Sequence, residues 1–165
     1  MSSLLTVAKR ALRNMVAASD VFNGRLPAGA DPLKYIHLTH KVLESSLEFD
    51  AGPFAVIYYE DGALNYVHDS TDTGFNLIAN GELLLLLRAP ADKAAPETED
   101  AERFEDWAGE TFDQVGDLAG VGENLLITTA SLSAVPMRTA FEEDAERAHG
   151  PFWECEFTVA WGLVS

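Results

Sequence analysis

Cysteine is almost missing from this sequence. Cys155 is the only one, so no internal disulfide can form. Set in a strand-like stretch as a small apolar residue, it reads as core and not as a reactive thiol. Long apolar runs are missing too: the longest aliphatic one, Leu83 to Leu87, is five residues, against the ~20 that a membrane-spanning helix needs. No membrane contact is expected. Lys9 and Arg10 sit inside an amphipathic pattern and not ahead of an apolar core, so no secretory signal is expected either. Basic charge is scarce, with 11 Lys and Arg against 27 Asp and Glu and a net charge of −16. Such a chain repels phosphate backbones and anionic lipid, which argues against an electrostatic grip on DNA. The acidity has two readings: solubility, as in a salty habitat, or a surface that must sit near DNA without holding it.

Catalytic motifs are also lacking. Gly120-x-Gly122 stands between a helix and a strand, the reverse of the order a phosphate cradle requires, and no Walker lysine is present. There is no Gly-x-Ser-x-Gly elbow, and Cys155 lies mid-strand and not at a helix N-terminus. On a helical reading of the segment after Asp31, His37, His40 and Glu44 fall at i, i+3 and i+7 and share a face. Surface histidines are more often plain polar positions. Asp69-x-x-Asp72-x-Gly74 has the composition of a calcium loop but neither its spacing nor its closing acid, and turns favour the same residues. No enzyme activity, cofactor or metal is expected.

What is present is clear periodicity in a chain of 165 residues, enough for one domain, 1–165, with a real core. In Phe152 to Trp161, Trp153, Cys155, Phe157, Val159 and Trp161 alternate with Glu154, Glu156 and Thr158, a strand with one buried and one wet face. Glu154 and Glu156 project from the same face about 7 Å apart; alternation makes that the wet face. Ser2 or Ser3 can cap a first helix to about Ala18, with Leu4, Val7, Leu12, Met15 and Val16 on one side. Ser19-Asp20 and Asn23-Gly24 break it. Asp31-Pro32 opens a second helix, striped by Leu33, Ile36, Leu43 and Leu47 and ending by Asp50; a strand over Tyr35 to Val42 is the alternative.

Phe54 to Tyr59 reads as a strand, turning at Glu60-Asp61-Gly62. Asp69 to Gly74 is a loop, and Asn80-Gly81 a turn. Glu82 to Ala89, with leucines on both faces, suits a central strand covered on both sides, although a buried helix has the same look. Acids around Glu97 to Glu102 suit a helix start, and Phe104, Trp107, Ala108, Thr111, Val115 and Leu118 line the helix that follows, ended by Gly120-Val121-Gly122. Asn124 to Leu132 is a strand. Pro136 to Pro151 is an exposed arm with an acidic centre. The economical fold is α+β: a single antiparallel sheet of four to five strands with two to three helices packed on one face.

The whole-chain order carries a resemblance. An amphipathic helix, Leu4 to Val16, precedes a Pro-Phe-Ala-Val-Ile-Tyr strand. A central strand, Leu83 to Arg88, follows, then an acidic helix with aromatics, then a closing hairpin that ends in Cys-Glu-Phe-Thr-Val-Ala-Trp-Gly. This resembles the tail-terminator (tail-completion) proteins of tailed bacteriophages. The helical segment after Asp31 and the long loop from Asp61 to Asn80 depart from that pattern.

The resemblance implies a structural virion protein. It implies a homohexameric ring at the head-proximal end of the tail tube, assembled in the host cytoplasm, that halts tube polymerisation and offers a docking face to the head–tail connector. The implied partners are the tail tube protein and the connector or neck protein, with DNA passing nearby without specific binding. On this reading Glu142, Glu143, Asp144, Glu146, Glu154 and Glu156 approach the lumen or a ring interface, and the loop with Asp69 and Asp72 meets a partner. Another phage neck or head–tail adaptor protein, or a small acidic protein-binding module, is the alternative.

Overall fold

The computed structural model describes residues 3–39, 52–59, 65–66, 77–117, 125–131, 138–139 and 152–164. Helix α1 (Leu4–Ala17) begins at Ser3, whose hydroxyl accepts from the Thr6 N–H at 3.1 Å, a polar N-cap of the expected kind. It buries Ala8, Ala11, Leu12, Met15 and Val16. The break at Ser19 holds one extra turn, α2 (Asp20–Asn23), capped by the Ser19 hydroxyl on the Phe22 N–H.

The segment after Asp31 corrects the expected helix. Asp31 does cap, accepting from Leu33 N–H at 3.1 Å, but only a single 3₁₀ turn follows, Pro32–Tyr35. The chain then extends as strand β1 (Ile36–Leu38), parallel to β2 (Phe54–Tyr58). Tyr, Ile and His are indifferent helix formers, and here β2 supplies a ladder that continues to the Thr39 N–H on the Ile57 carbonyl. Pairing outweighs the cap. The strand alternative over Tyr35 to Val42 therefore holds for Ile36–Leu38, while Tyr35 closes the 3₁₀ turn; 40–51 lie outside the described residues. The parallel pair also makes the sheet mixed where an all-antiparallel one was expected.

Strand β3 (Asn65–Tyr66) pairs with β4 (Leu77–Pro90), and β4 runs antiparallel to β2. The leucines therefore lie in a strand and not in a buried helix. Asn80-Gly81 does not turn the chain. It stays in the ladder because β4 finds partners on both sides, Tyr66 and Asn65 on one and Trp161 and Gly162 on the other. Helix α3 (Glu97–Asp117) follows, with Glu97, Glu99 and Asp100 in its first turn. Strands β5 (Leu125–Ser131) and β6 (Arg138–Thr139) both pair with β7 (Phe152–Val164), and β7 lies antiparallel along β4. The order across the sheet is β1-β2-β4-β7-β5, with β3 added to β4 and β6 to β7. The class is α+β, largely antiparallel.

Alternation sorts the core into two clusters. The larger one joins every buried apolar residue of the three helices to Ala55, Ile57, Leu83, Leu85, Leu87, Ala89, Trp153, Phe157, Val159 and Trp161. Phe112 of α3 stacks on Phe157 at 4.5 Å between ring centroids, and Phe22 of α2 stacks on Trp107 at 5.7 Å. The smaller cluster, Phe54, Val56, Tyr58 and Leu86, lies on the opposite face of the sheet. Strand β2 is thus buried at all five positions, as expected for a strand covered on both sides.

Gly52 enters β2 with φ of +91°, and a Cβ built there would lie 2.6 Å from the Arg88 carbonyl oxygen. Gly29 has a similar φ of +74° but open space around it. Gly52→Ala is therefore expected to lose about 2–4 kcal/mol in chemical denaturation, and Gly29→Ala only about 1. Equal losses would mean that the contact with β4 is not tight.

Candidate functional surface

The face of the sheet that carries the smaller cluster holds two of the predicted acids, Glu154 and Glu156. Cross-strand register sets Phe54 of β2 beside Arg88 of β4, and Arg88 beside Glu154 of β7; Arg138 of β6 is the next register position beyond Glu154. Arg88 donates through Nε and Nη2 to the same carboxylate oxygen of Glu154, at 2.9 and 2.5 Å. The guanidinium lies 4.0 Å from the Phe152 ring centroid and 5.1 Å from that of Phe54, inside cation–π range. The edge of His37 meets Phe54, with centroids 5.6 Å apart. Side chains of both ions are 8% exposed.

This corrects the wet-face reading of Glu154. Alternation told which face the residue occupies, but not that the face is covered, nor that a cation stands opposite. Arg88 is the residue the sequence reading missed. The available signal was its position: the only basic residue between Lys41 and Lys93, at the end of a leucine strand. A buried pair of this kind is no free charge for DNA to meet. Removing either partner takes the counter-charge from a buried ion, a change that costs about 3–5 kcal/mol.

Glu156, the next residue on that face, is opposite Leu86 and partly buried. Burial raises its carboxyl above the ordinary value of 4.5, because desolvation disfavours the charged form. Cys155 points to the other face, packed against the large cluster. Burial, reinforced by the neighbouring Glu154 charge, pushes its thiol up to about 12. That suits a core residue.

Two further charged groups are buried among the described residues. The Asp100 carboxylate of α3 accepts from the Trp153 indole N–H at 2.7 Å and from the Asp92 N–H at 2.8 Å, both on Oδ2. Reading Asp100 only as macrodipole charge missed this tie between α3 and β7. Lys9 of α1 is 7% exposed and places its ammonium 5.4 Å from the Tyr59 ring centroid; desolvation holds its pKa below the ordinary lysine value.

The acid-rich surface lies elsewhere. Helix α3 exposes Glu97, Glu99, Glu102, Glu105, Asp106, Glu110, Asp113 and Asp117, with Arg103 the only exposed cation among them. Glu142, Glu143, Asp144 and Glu146 of the predicted arm, and Asp69 and Asp72 of the predicted loop, fall outside the described residues. So do His40 and Glu44. His37 is on a strand, so the helical spacing that grouped the three does not apply to it. Among the described residues no group of three or more His, Cys, Asp or Glu is placed to hold a metal ion, and no helix is long and apolar enough to cross a membrane. No protein-family model and no curated protein matches the chain.

Two outcomes check this environment. The Cys155 thiol is expected to stay unmodified by a thiol reagent at pH 8 in native protein and to react fully in denaturant; rapid native labelling would contradict its burial. For Glu156, the native state holds its proton to higher pH than the unfolded chain, so stability falls as pH rises from 4.5 through the raised folded value. Glu156→Gln is expected to be more stable than the parent at pH 7 and equal to it below pH 4.5, read from melting temperatures across that range.

Proposed function

We propose that this chain is a structural subunit of a tailed bacteriophage. In this reading it is a tail terminator that forms a homohexameric ring on the head-proximal end of the tail tube. There it stops tube growth and presents a docking surface to the head–tail connector. The observation that carries the reading is the whole-chain element order. An amphipathic N-terminal helix, a β-branched strand, a long central strand and an acidic aromatic helix lead to a closing strand, Cys-Glu-Phe-Thr-Val-Ala-Trp-Gly, laid on the central one.

Charge supports the reading on physical grounds. A conduit has to let DNA through, and bound phosphates would stall it; a net charge of −16 repels them. Because Glu154 is paired with Arg88, the repelling charge of the lumen falls to Glu142, Glu143, Asp144, Glu146 and Glu156. A ring of identical subunits requires a head-to-tail contact that closes, so two different surfaces of the chain must meet. No catalytic role belongs to this proposal.

The eight exposed acids of α3 favour a second reading, a small acidic module that binds a basic protein. The two part on stoichiometry. Light scattering after size exclusion, alone and after mixing with a phage tail tube protein, is expected to give a six-subunit ring, or tubes capped by one ring in electron micrographs. A chain that stays monomeric and leaves tube length unchanged would overturn the ring. Salt-sensitive, one-to-one binding to a basic partner would then favour the module.

A further inference from the structure

We infer that two polar contacts, Trp153–Asp100 and Arg88–Glu154, join the stack of Phe157 on Phe112 in selecting the register of the β4–β7 pair, because the alternation of these strands by itself rejects only odd offsets. A slip of one residue would turn Trp153, Phe157 and Trp161 away from the helices, and the hydrophobic effect forbids it. A slip of two residues leaves every side chain on its own face. Leu83, Leu85 and Leu87 then do little to choose, since each of them meets another apolar residue.

Consider each direction from the observed pairing, in which Arg88 faces Glu154 and Leu84 faces Thr158. In one, Leu87 meets Phe157, Leu85 meets Val159 and Leu83 meets Trp161, and Arg88 gains Glu156 in place of Glu154. The ion pair is available there too. What is lost is the 2.7 Å bond from Trp153 to Asp100, because β7 has moved by about 7 Å and Cys155 stands where Trp153 stood, opposite Ala89. Asp100 is 1% exposed, so a missing donor leaves a desolvated carboxylate short of a partner.

In the other direction Arg88 faces Phe152, Glu154 faces Leu86 and Glu156 faces Leu84. Glu154 now takes the place opposite Leu86 that Glu156 holds in the observed register, and the buried charges of Arg88 and Glu154 are separated. Trp153–Asp100 thus opposes both slips, and Arg88–Glu154 opposes the second. Buried polar groups that cost stability are retained elsewhere for this purpose, to fix a register that apolar packing leaves open.

Cross-strand backbone NOEs separate the three registers: Leu84 to Thr158 in the observed one, Leu84 to Ala160 in the first slip, Leu84 to Glu156 in the second. The parent is expected to show the Thr158 set alone. Trp153→Phe keeps the ring and removes the donor, and is expected to show the Ala160 set in about a tenth of molecules. Adding Arg88→Met and Glu154→Leu together, which removes both ions of the pair, is expected to bring in the Glu156 set. A Trp153→Phe protein with the Thr158 set alone would overturn the inference. A triple variant without the Glu156 set would remove Arg88–Glu154 from it. Asp100→Leu, which takes away the acceptor, gives the same reading where Trp153→Phe does not fold.

Discussion

The antiparallel pairing of β4 with β7 is the constraint on which the rest of this fold leans. It runs from Pro90 opposite Phe152 to Leu77 opposite Val164. Strand β2 has its place because β4 has an open side, and β5 and β6 have theirs because β7 has one. The helices, in turn, are held by what this pair presents: Phe157 to Phe112, and Trp153 to Asp100. Few local contacts could assemble these parts, since Arg88 and Glu154 are 66 positions apart.

How far the residues foretold this depends on which interactions decide each element. The closing strand was legible because ten residues alternate with two tryptophans on one face, and no competing pattern fits. Helices α1 and α3 were legible for the same reason at a period of 3.6. The segment after Asp31 misled because a local cap, Asp-Pro, is a weak signal beside a neighbouring strand, and the β2 partners of Ile36, His37 and Leu38 each lie 19 positions further along the chain. Asn80-Gly81 misled similarly: its turn preference is local, whereas its partners Gly162 and Trp161 are not. Burial of Glu154 was not legible at all. A period of two separates faces, but it carries no information on what covers either one.

The acidity of the chain divides accordingly. Some carboxylates build structure: Glu154 against Arg88, Asp100 beneath Trp153. Others stand exposed along the outer side of α3. A strand pair needs one anion in register with its cation; it does not need eight on an exposed helix. That surplus is the part of the composition that the fold leaves open, and the part on which a functional reading can draw.

The distance in sequence between β4 and β7 has a consequence during synthesis. The leucine strand leaves the ribosome well before its principal partner, and pairing with β2 covers only one of its edges. Until residues 152–164 follow, Leu83 to Leu87 is an uncharged, proline-free segment with an open edge, of the kind that pairs with copies of itself. Long-range pairing is also slow to form. The run that gives the finished subunit its centre is therefore the nascent chain's main aggregation hazard.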